Sequence, residues 1–277
     1  MKRDEATVSE PTLLDLDDYD FELPAEAIAQ VPPEERDGGR LLVLERGTGQ
    51  VDHDKVRALA ARLRPGDLLV RNATRVLPAR LRGTKVSGGQ VEALILGRVG
   101  EDENRYHALV RCGSGRLRPG LGLRFERDGC EREAHIAAVS EDGIATLVFA
   151  EGASPYDAGE APLPPYIRRD APDVADQERY QTTFARVPGS IAAPTAGLHL
   201  SERVLADLAA REIESAEVVL HVGVGTFRPL READLAAGRL HPEHFELPEE
   251  SAAAIAAARD RGGRVVAVGT LSLIHIS

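Results

Sequence analysis

Three textures of apolar and polar residues follow one another along the chain. In DKVRALAARL (54–63), Val56, Leu59, Ala60 and Leu63 recur at helical spacing and Asp54 stands where a cap belongs; the pattern predicts a helix ending at Pro65-Gly66. Ahead of it, DFELPAEAIAQ (20–30) predicts a short helix with Pro24 in its first turn, and RLLVLE (40–45) a buried strand. From about residue 67 to 155 short alternating runs take over: QVEALIL, RYHALVR, LGLRFER, EAHIAAV and IATLVFA. Gly88-Gly89, Pro119-Gly120, Asp128-Gly129 and Asp142-Gly143 separate them, as expected of strands joined by tight turns. RLRPG occurs at 62 and again at 116, and both copies read as type II turns feeding strands.

After about 156 the helix-and-strand texture returns. SERVLADLAARE reads as a helix capped by Ser201, AEVVLHV (216–222) as a strand, and EADLAAG as a short helix closed by Gly238. ESAAAIAAARDRGG reads as a helix ending at Gly262-Gly263, and RVVAVGT as a further strand. The simplest account is a discontinuous α/β domain, a mixed sheet with flanking helices built from residues 1–66 and 156–270. It is interrupted by an all-β, barrel-like insertion over 67–155.

Composition narrows this picture. The 277 residues, 43% hydrophobic and 29% charged, suit a soluble globular protein. No apolar run approaches the ~18 residues of a membrane helix, and the opening MKRDEATVSEPTLLDLDDYD has no apolar core for a signal peptide. A cytoplasmic location and no membrane partner are expected. Cys112 and Cys130 form neither a CxxC nor a zinc-spaced cluster and read as reduced thiols. A net charge of −11 argues against general nucleic-acid binding. Yet residues 62–132 carry 15 Arg/Lys against 8 Asp/Glu, which reads either as a solvated strand face or as a local phosphate-contacting surface.

Candidate chemistry gathers in the second half. VVLHVGVGTF and VVAVGT both end a strand in Gly and Thr, where α/β sheets bind ligands, although GVGTF lacks the third glycine of a dinucleotide fingerprint. Of eight histidines, His199, His221, His241 and His244 fall in a short span. The last two form H-x-x-H-x-E with Glu246. That spacing suits zinc, but Pro242 works against the one-face helical geometry, so structural histidines or a metal-free polar pocket are the remaining readings. Tyr156, Tyr166, Tyr180, Phe184, Phe227 and Phe245 belong to a core or to a stacking wall for a planar base. AAPTAGLHLS (192–201) puts Thr195 and His199 in a stiff loop at the mouth of a predicted helix.

Taken together, DFELPAEAIAQVP, LRPGDLLVRNATRVLPARLRG, PLPPYIRRD, RYQTTFARVPGSIAAPTAGLHLSE, LHVGVGTFRPL and HPEHFEL resemble the S-adenosylmethionine:tRNA ribosyltransferase-isomerase family of queuosine biosynthesis. The resemblance covers nearly all of residues 19 to 270. It implies that the ribosyl part of S-adenosylmethionine, a consumed co-substrate, moves onto a 7-aminomethyl-7-deazaguanine at the wobble position of a tRNA anticodon. The product is epoxyqueuosine-tRNA, with adenine and methionine released; no metal is expected and a monomer is. Methyl transfer to RNA from the same cofactor, or RNA binding without catalysis, are the alternatives.

On this reading His241, His244 and Glu246 form a polar acid–base cluster near the reacting ribose, His221 at its strand end is a further catalytic candidate, and His199 places or protonates the leaving adenine. Thr195, Gly197, Tyr180, Gln181, Gly223, Gly225 and Thr226 hold the cofactor. Arg71, Asn72, Thr74, Arg75, Arg80, Arg82 and Lys85 meet the anticodon arm.

Three departures from the family pattern stand out. Ala73 replaces a usual Asp, and Glu243 a usual Met. The closing LSLIHIS replaces TSVRTLE, so 271–277 are expected to be a non-native tail on a shortened chain.

Overall fold

The computed structural model describes residues 20–113, 115–169, 173–223, 225 and 243–269. Its α/β part is a four-stranded sheet in the order β14-β13-β3-β15, with β3 (Leu68–Asn72), β13 (Glu214–His221), β14 (His244–Glu246) and β15 (Val265–Ala267). β13 and β15 run parallel to β3 on either side of it, and β14 runs antiparallel along the outer edge of β13. β3 is apolar on both faces because both are covered. Leu69 packs with Ala60, Leu63, Leu200, Val204 and Leu208, among them residues of α1 (Leu59–Arg62) and α3 (Glu202–Ala210). Leu68 and Val70 face Ala258 of α4 (Glu249–Asp260). Side chains that alternate across a covered strand produce this near-continuous hydrophobic run.

Local signals fix the ends of these elements. The Ser201 hydroxyl accepts from the Val204 amide at 3.2 Å and donates to Asp37 at 2.5 Å, so one residue caps α3 and ties it to the N-terminal segment. Both RLRPG copies turn as expected. Gly66 and Gly120 have φ of 90° and 79°, and Asp67 and Leu121 donate back to Arg64 and Arg118.

The insertion is a barrel. β5 (Arg80–Lys85), β6 (Gln90–Val99), β7 (Asp102–Cys112), β10 (Ile144–Phe149), β9 (Cys130–Val139) and β8 (Gly122–Arg127) pair antiparallel in that order, and β5–β8 pairing closes the ring. Inward positions fill the interior with Leu81, Ile95, Tyr106, Leu123, Phe125, Ile136 and Leu147, all fully buried. Closure at β5–β8 needs Gly83: a Cβ there would lie 2.0 Å from the Arg124 carbonyl oxygen.

Several expectations need correcting. Residues 67–79 are not barrel. β3 belongs to the parallel sheet, and β4 (Thr74–Val76) pairs in parallel with β12 (Val187–Ser190). The barrel strands begin at Arg80, and the short β11 (Gly159–Glu160) extends that sheet beyond 155. Asp54 caps no helix. β2 (Val51–Lys55) forms a five-pair hairpin with β1 (Arg40–Leu44), so Asp54 is held in a strand and the helix shrinks to α1. β1 exposes alternate residues and is not a buried strand. The helix expected over 20–30 is a single 3-10 turn at Ala25–Ala27. The short helix expected near Gly238 lies outside the described residues.

Candidate active site

The parallel strands β13, β3 and β15 end on one side of the sheet, where groups aligned by the strands meet the loops that follow. Asn72, the last residue of β3, is buried, and its side-chain amide works as a bracket. Oδ1 accepts from the amides of Thr74 at 3.1 Å and Leu220 at 3.0 Å, and Nδ2 donates to the Leu220 carbonyl at 2.8 Å. The chain turns through Ala73, whose amide donates to Val218 and whose carbonyl accepts from Arg186 and Val187. Thr74 is fully buried, and its hydroxyl lies 2.7 Å from Nδ1 of His221, the last residue of β13.

The His221 ring has little room. It lies against Gly189 of β12, where φ is +152° and an added Cβ would come within 2.6 Å of the ring. Its other neighbour is His244, paired with it across β13–β14 and stacked at 6.0 Å between centroids and 17° between planes. Burial lowers the His221 pKa below the ordinary imidazole range. The adjacent His244 lowers it further, and Glu246 opposes both. His244 and Glu246 are exposed. Beyond His221, Ser190 accepts from the Val222 amide at 2.9 Å, and Glu243 Oε1 accepts from the Gly223 amide at 2.8 Å. His221, His244 and Glu246 are thus brought together at one strand end; His241 and Thr226 lie outside the described residues, and Gly225 is described as a half-buried residue on its own.

His199 belongs elsewhere. With Thr195 it follows Pro194 in a 3-10 turn, Thr195–His199, and its Nδ1 lies 3.3 Å from the Arg36 carbonyl. Thr195, His199 and Tyr180 line a cleft of about 280 Å³ together with Val31, Tyr166 and Leu198. Among the described residues no hydrogen bond or ion pair joins His199 to His221 or His244. The walls are fastened by arginines: Arg36 donates to the carbonyls of Glu178 and Gln181, and Arg179 to those of Pro33 and Glu34.

Several site expectations change in role. Gly197 is buried, and a Cβ there would press on Thr182 and Phe184 at 3.0–3.1 Å, so it serves close packing. The Gln181 amide bonds both main-chain groups of Val76, which ties this residue to β4. The side chains of Asn72 and Thr74 are buried within the bracket. Arg71 pairs with Glu217 at 3.1 Å and stacks on Phe184 at 4.7 Å. Arg80 pairs with Glu92, and Arg82 with Glu160. Arg75 is exposed on β4, and Lys85 is half-buried and partnered. The aromatics read as core or as a stacking wall divide: Tyr156 packs edge-on against Tyr106 in the barrel, 6.0 Å away, whereas Tyr166 and Tyr180 line the cleft. Gly189 and the part of Glu243 at the Gly223 amide carried no signal in the chain, since both depend on how closely separate strands approach. Among the described residues no group of three His, Cys, Asp or Glu is placed to hold a metal ion.

A mixed sheet with covered faces, a closed antiparallel barrel in its chain, and stacked imidazoles at a strand end define an α/β protein with an inserted barrel and an imidazole pair beside the strand ends. Queuosine biosynthesis protein is the family whose pattern matches residues 16–276, and the chain belongs to it. Relatives named S-adenosylmethionine:tRNA ribosyltransferase-isomerase include one from Citrifermentans bemidjiense, 45% identical over 93% of this chain and 75% of its own length. Another, from Anaeromyxobacter sp. Fw109-5, is 49% identical over 93% and 74%. A solved S-adenosylmethionine tRNA ribosyltransferase from Thermotoga maritima is 30% identical with a TM-score of 0.39, over 90% of this chain and 68% of that one.

Proposed function

We propose that this protein transfers and isomerises the ribosyl part of S-adenosylmethionine onto the aminomethyl group of a 7-deazaguanine at the wobble position of tRNA. The products are epoxyqueuosine-tRNA, adenine and methionine, and the enzyme acts as a cytoplasmic monomer. Kinship across 93% of the chain to proteins named for this reaction carries the activity. The stacked pair of His221 and His244 carries its location.

S-adenosylmethionine supplies an electrophilic sulfonium, acidified ribose C–H bonds and adenine as a leaving group. The residues at the strand end suit those demands. His221 and His244 provide two imidazoles within one reacting centre, and a positioned acid or base contributes about 10²–10⁴-fold. The exposed Glu246 and the nearby Glu243 bring negative charge toward a sulfonium. One carboxylate about 4 Å away is worth about 4 kcal/mol at an effective dielectric near 20. The cleft beside Thr195 and His199, with its apolar walls and Tyr166 and Tyr180, suits the adenine. Exposed Arg75 is our choice for a phosphate contact in the anticodon arm.

The test is product analysis with S-adenosylmethionine and a tRNA carrying the aminomethyl-deazaguanine. Free adenine and methionine should appear in step with modified tRNA, and His221→Gln should reduce the rate by at least about 100-fold. Release of S-adenosylhomocysteine in place of adenine would establish methyl transfer and end this reading.

A further inference from the structure

The geometry points to Thr74 as the positioning residue of His221: its hydroxyl donates to Nδ1 and holds the ring as the Nε2–H tautomer. His221 then presents a hydrogen-bond donor to the substrate, and abstraction of the ribose proton falls to another group. This rests on the proposed function only in taking His221 to face the substrate.

Three observations carry the assignment. Thr74 is fully buried, and among the described residues its hydroxyl has one hydrogen-bond partner, Nδ1 of His221 at 2.7 Å. If Nδ1 carried the proton and donated, the hydroxyl hydrogen would be buried without an acceptor, which is unfavourable; if the hydroxyl donates, both groups are satisfied and Nε2 keeps its hydrogen. The contact is also rigid. Asn72 binds the Thr74 amide and both main-chain groups of Leu220, so one buried amide sets the positions of Thr74 and of the residue next to His221.

Finally, the ring cannot swing away freely. Gly189 lies close against it and His244 stacks on it. The groups facing the ring are Thr74 from β4, Gly189 from β12, and His244 with Glu246 from β14. Burial and His244 favour the neutral ring, and Glu246 acts against them. A neutral imidazole that donates from Nε2 polarises an acceptor atom without taking up a proton there. Among the described residues, His244, the exposed partner of the stack, is the imidazole beside it left to act as base.

The direct measurement is the nitrogen-15 spectrum of histidine-labelled protein at neutral pH, with His221 assigned by its loss in His221→Gln. We expect a protonated Nε2 and an unprotonated Nδ1. Thr74→Ser should keep that signature, and Thr74→Val should lose it. In the adenine-release assay Thr74→Val should lower kcat about tenfold with little change in the KM for S-adenosylmethionine, and Thr74→Ser should recover most of the loss. An Nδ1–H tautomer in the unaltered protein, or an unchanged His221 spectrum or kcat in Thr74→Val, would overturn the assignment. Full activity of His221→Gln would instead remove His221 from the reaction, while the spectrum still decides whether Thr74 sets its tautomer.

Discussion

Asp67 shows what one buried carboxylate does at the residue scale. It follows the Pro65-Gly66 turn, is fully buried, and accepts from the main-chain amides of Arg64 and Arg264. The Arg264 guanidinium binds it at 2.5 Å, so the starts of β3 and β15 are pinned by a single side chain. The Arg264 hydrogen bond holds its carboxyl well below the ordinary carboxylate range, with the two amides adding to the effect. A depressed folded-state pKa adds stability above the unfolded value of about 4, which is lost as pH falls through the folded value. Asp67→Asn should therefore cost about 1–3 kcal/mol at pH 7 in urea unfolding, by leaving charged and polar partners unmatched. It should also flatten the decline of stability below about pH 4. Equal acid sensitivity of the two proteins would show that Asp67 is not the group responsible.

At the scale of elements, main-chain pairing decides where periodicity is ambiguous. DKVRALAARL has a helical stripe, yet five registered pairs with β1 carry its first two residues into a strand. Barrel closure depends on the same main-chain contacts. Gly83 sits in β5 opposite Phe125 of β8, where the two strands approach too closely for any side chain on that face. Gly83→Val should open the β5–β8 seam. Hydrogen exchange should show amides of β5 and β8 losing protection while those of β3 and β13 keep theirs. Unchanged protection along β8 would mean the barrel closes by another route.

Across the whole molecule, charge is arranged differently from its sum. The chain has a net charge of −11, and residues 62–132 are basic, but Arg71, Arg80, Arg82 and Arg124 are each engaged by a glutamate. Those arginines hold strands together and offer a polyanion less than their number suggests. Arg75→Ala should weaken tRNA binding similarly across tRNA sequences and reduce the salt slope by about 1. Binding measured from low to moderate salt checks this, and an unaltered slope would move the phosphate contact elsewhere.

The sequence alone determined the alternation of textures, the turns at Gly66 and Gly120, the Ser201 cap and the family. Each of these is written in residues close together or in motifs whose order is itself informative. Only the tertiary structure decided that His221 and His244 stack together at a strand end while His199 lines a cleft whose walls include neither of them. It also turned Asn72 and Thr74 from expected RNA contacts into the bracket behind an imidazole, and gave Glu243 the amide of Gly223. Those outcomes depend on which strand lies beside which, and on approaches of a few ångströms between residues 20 to 148 positions apart. Side-chain type and spacing carry no measure of that distance.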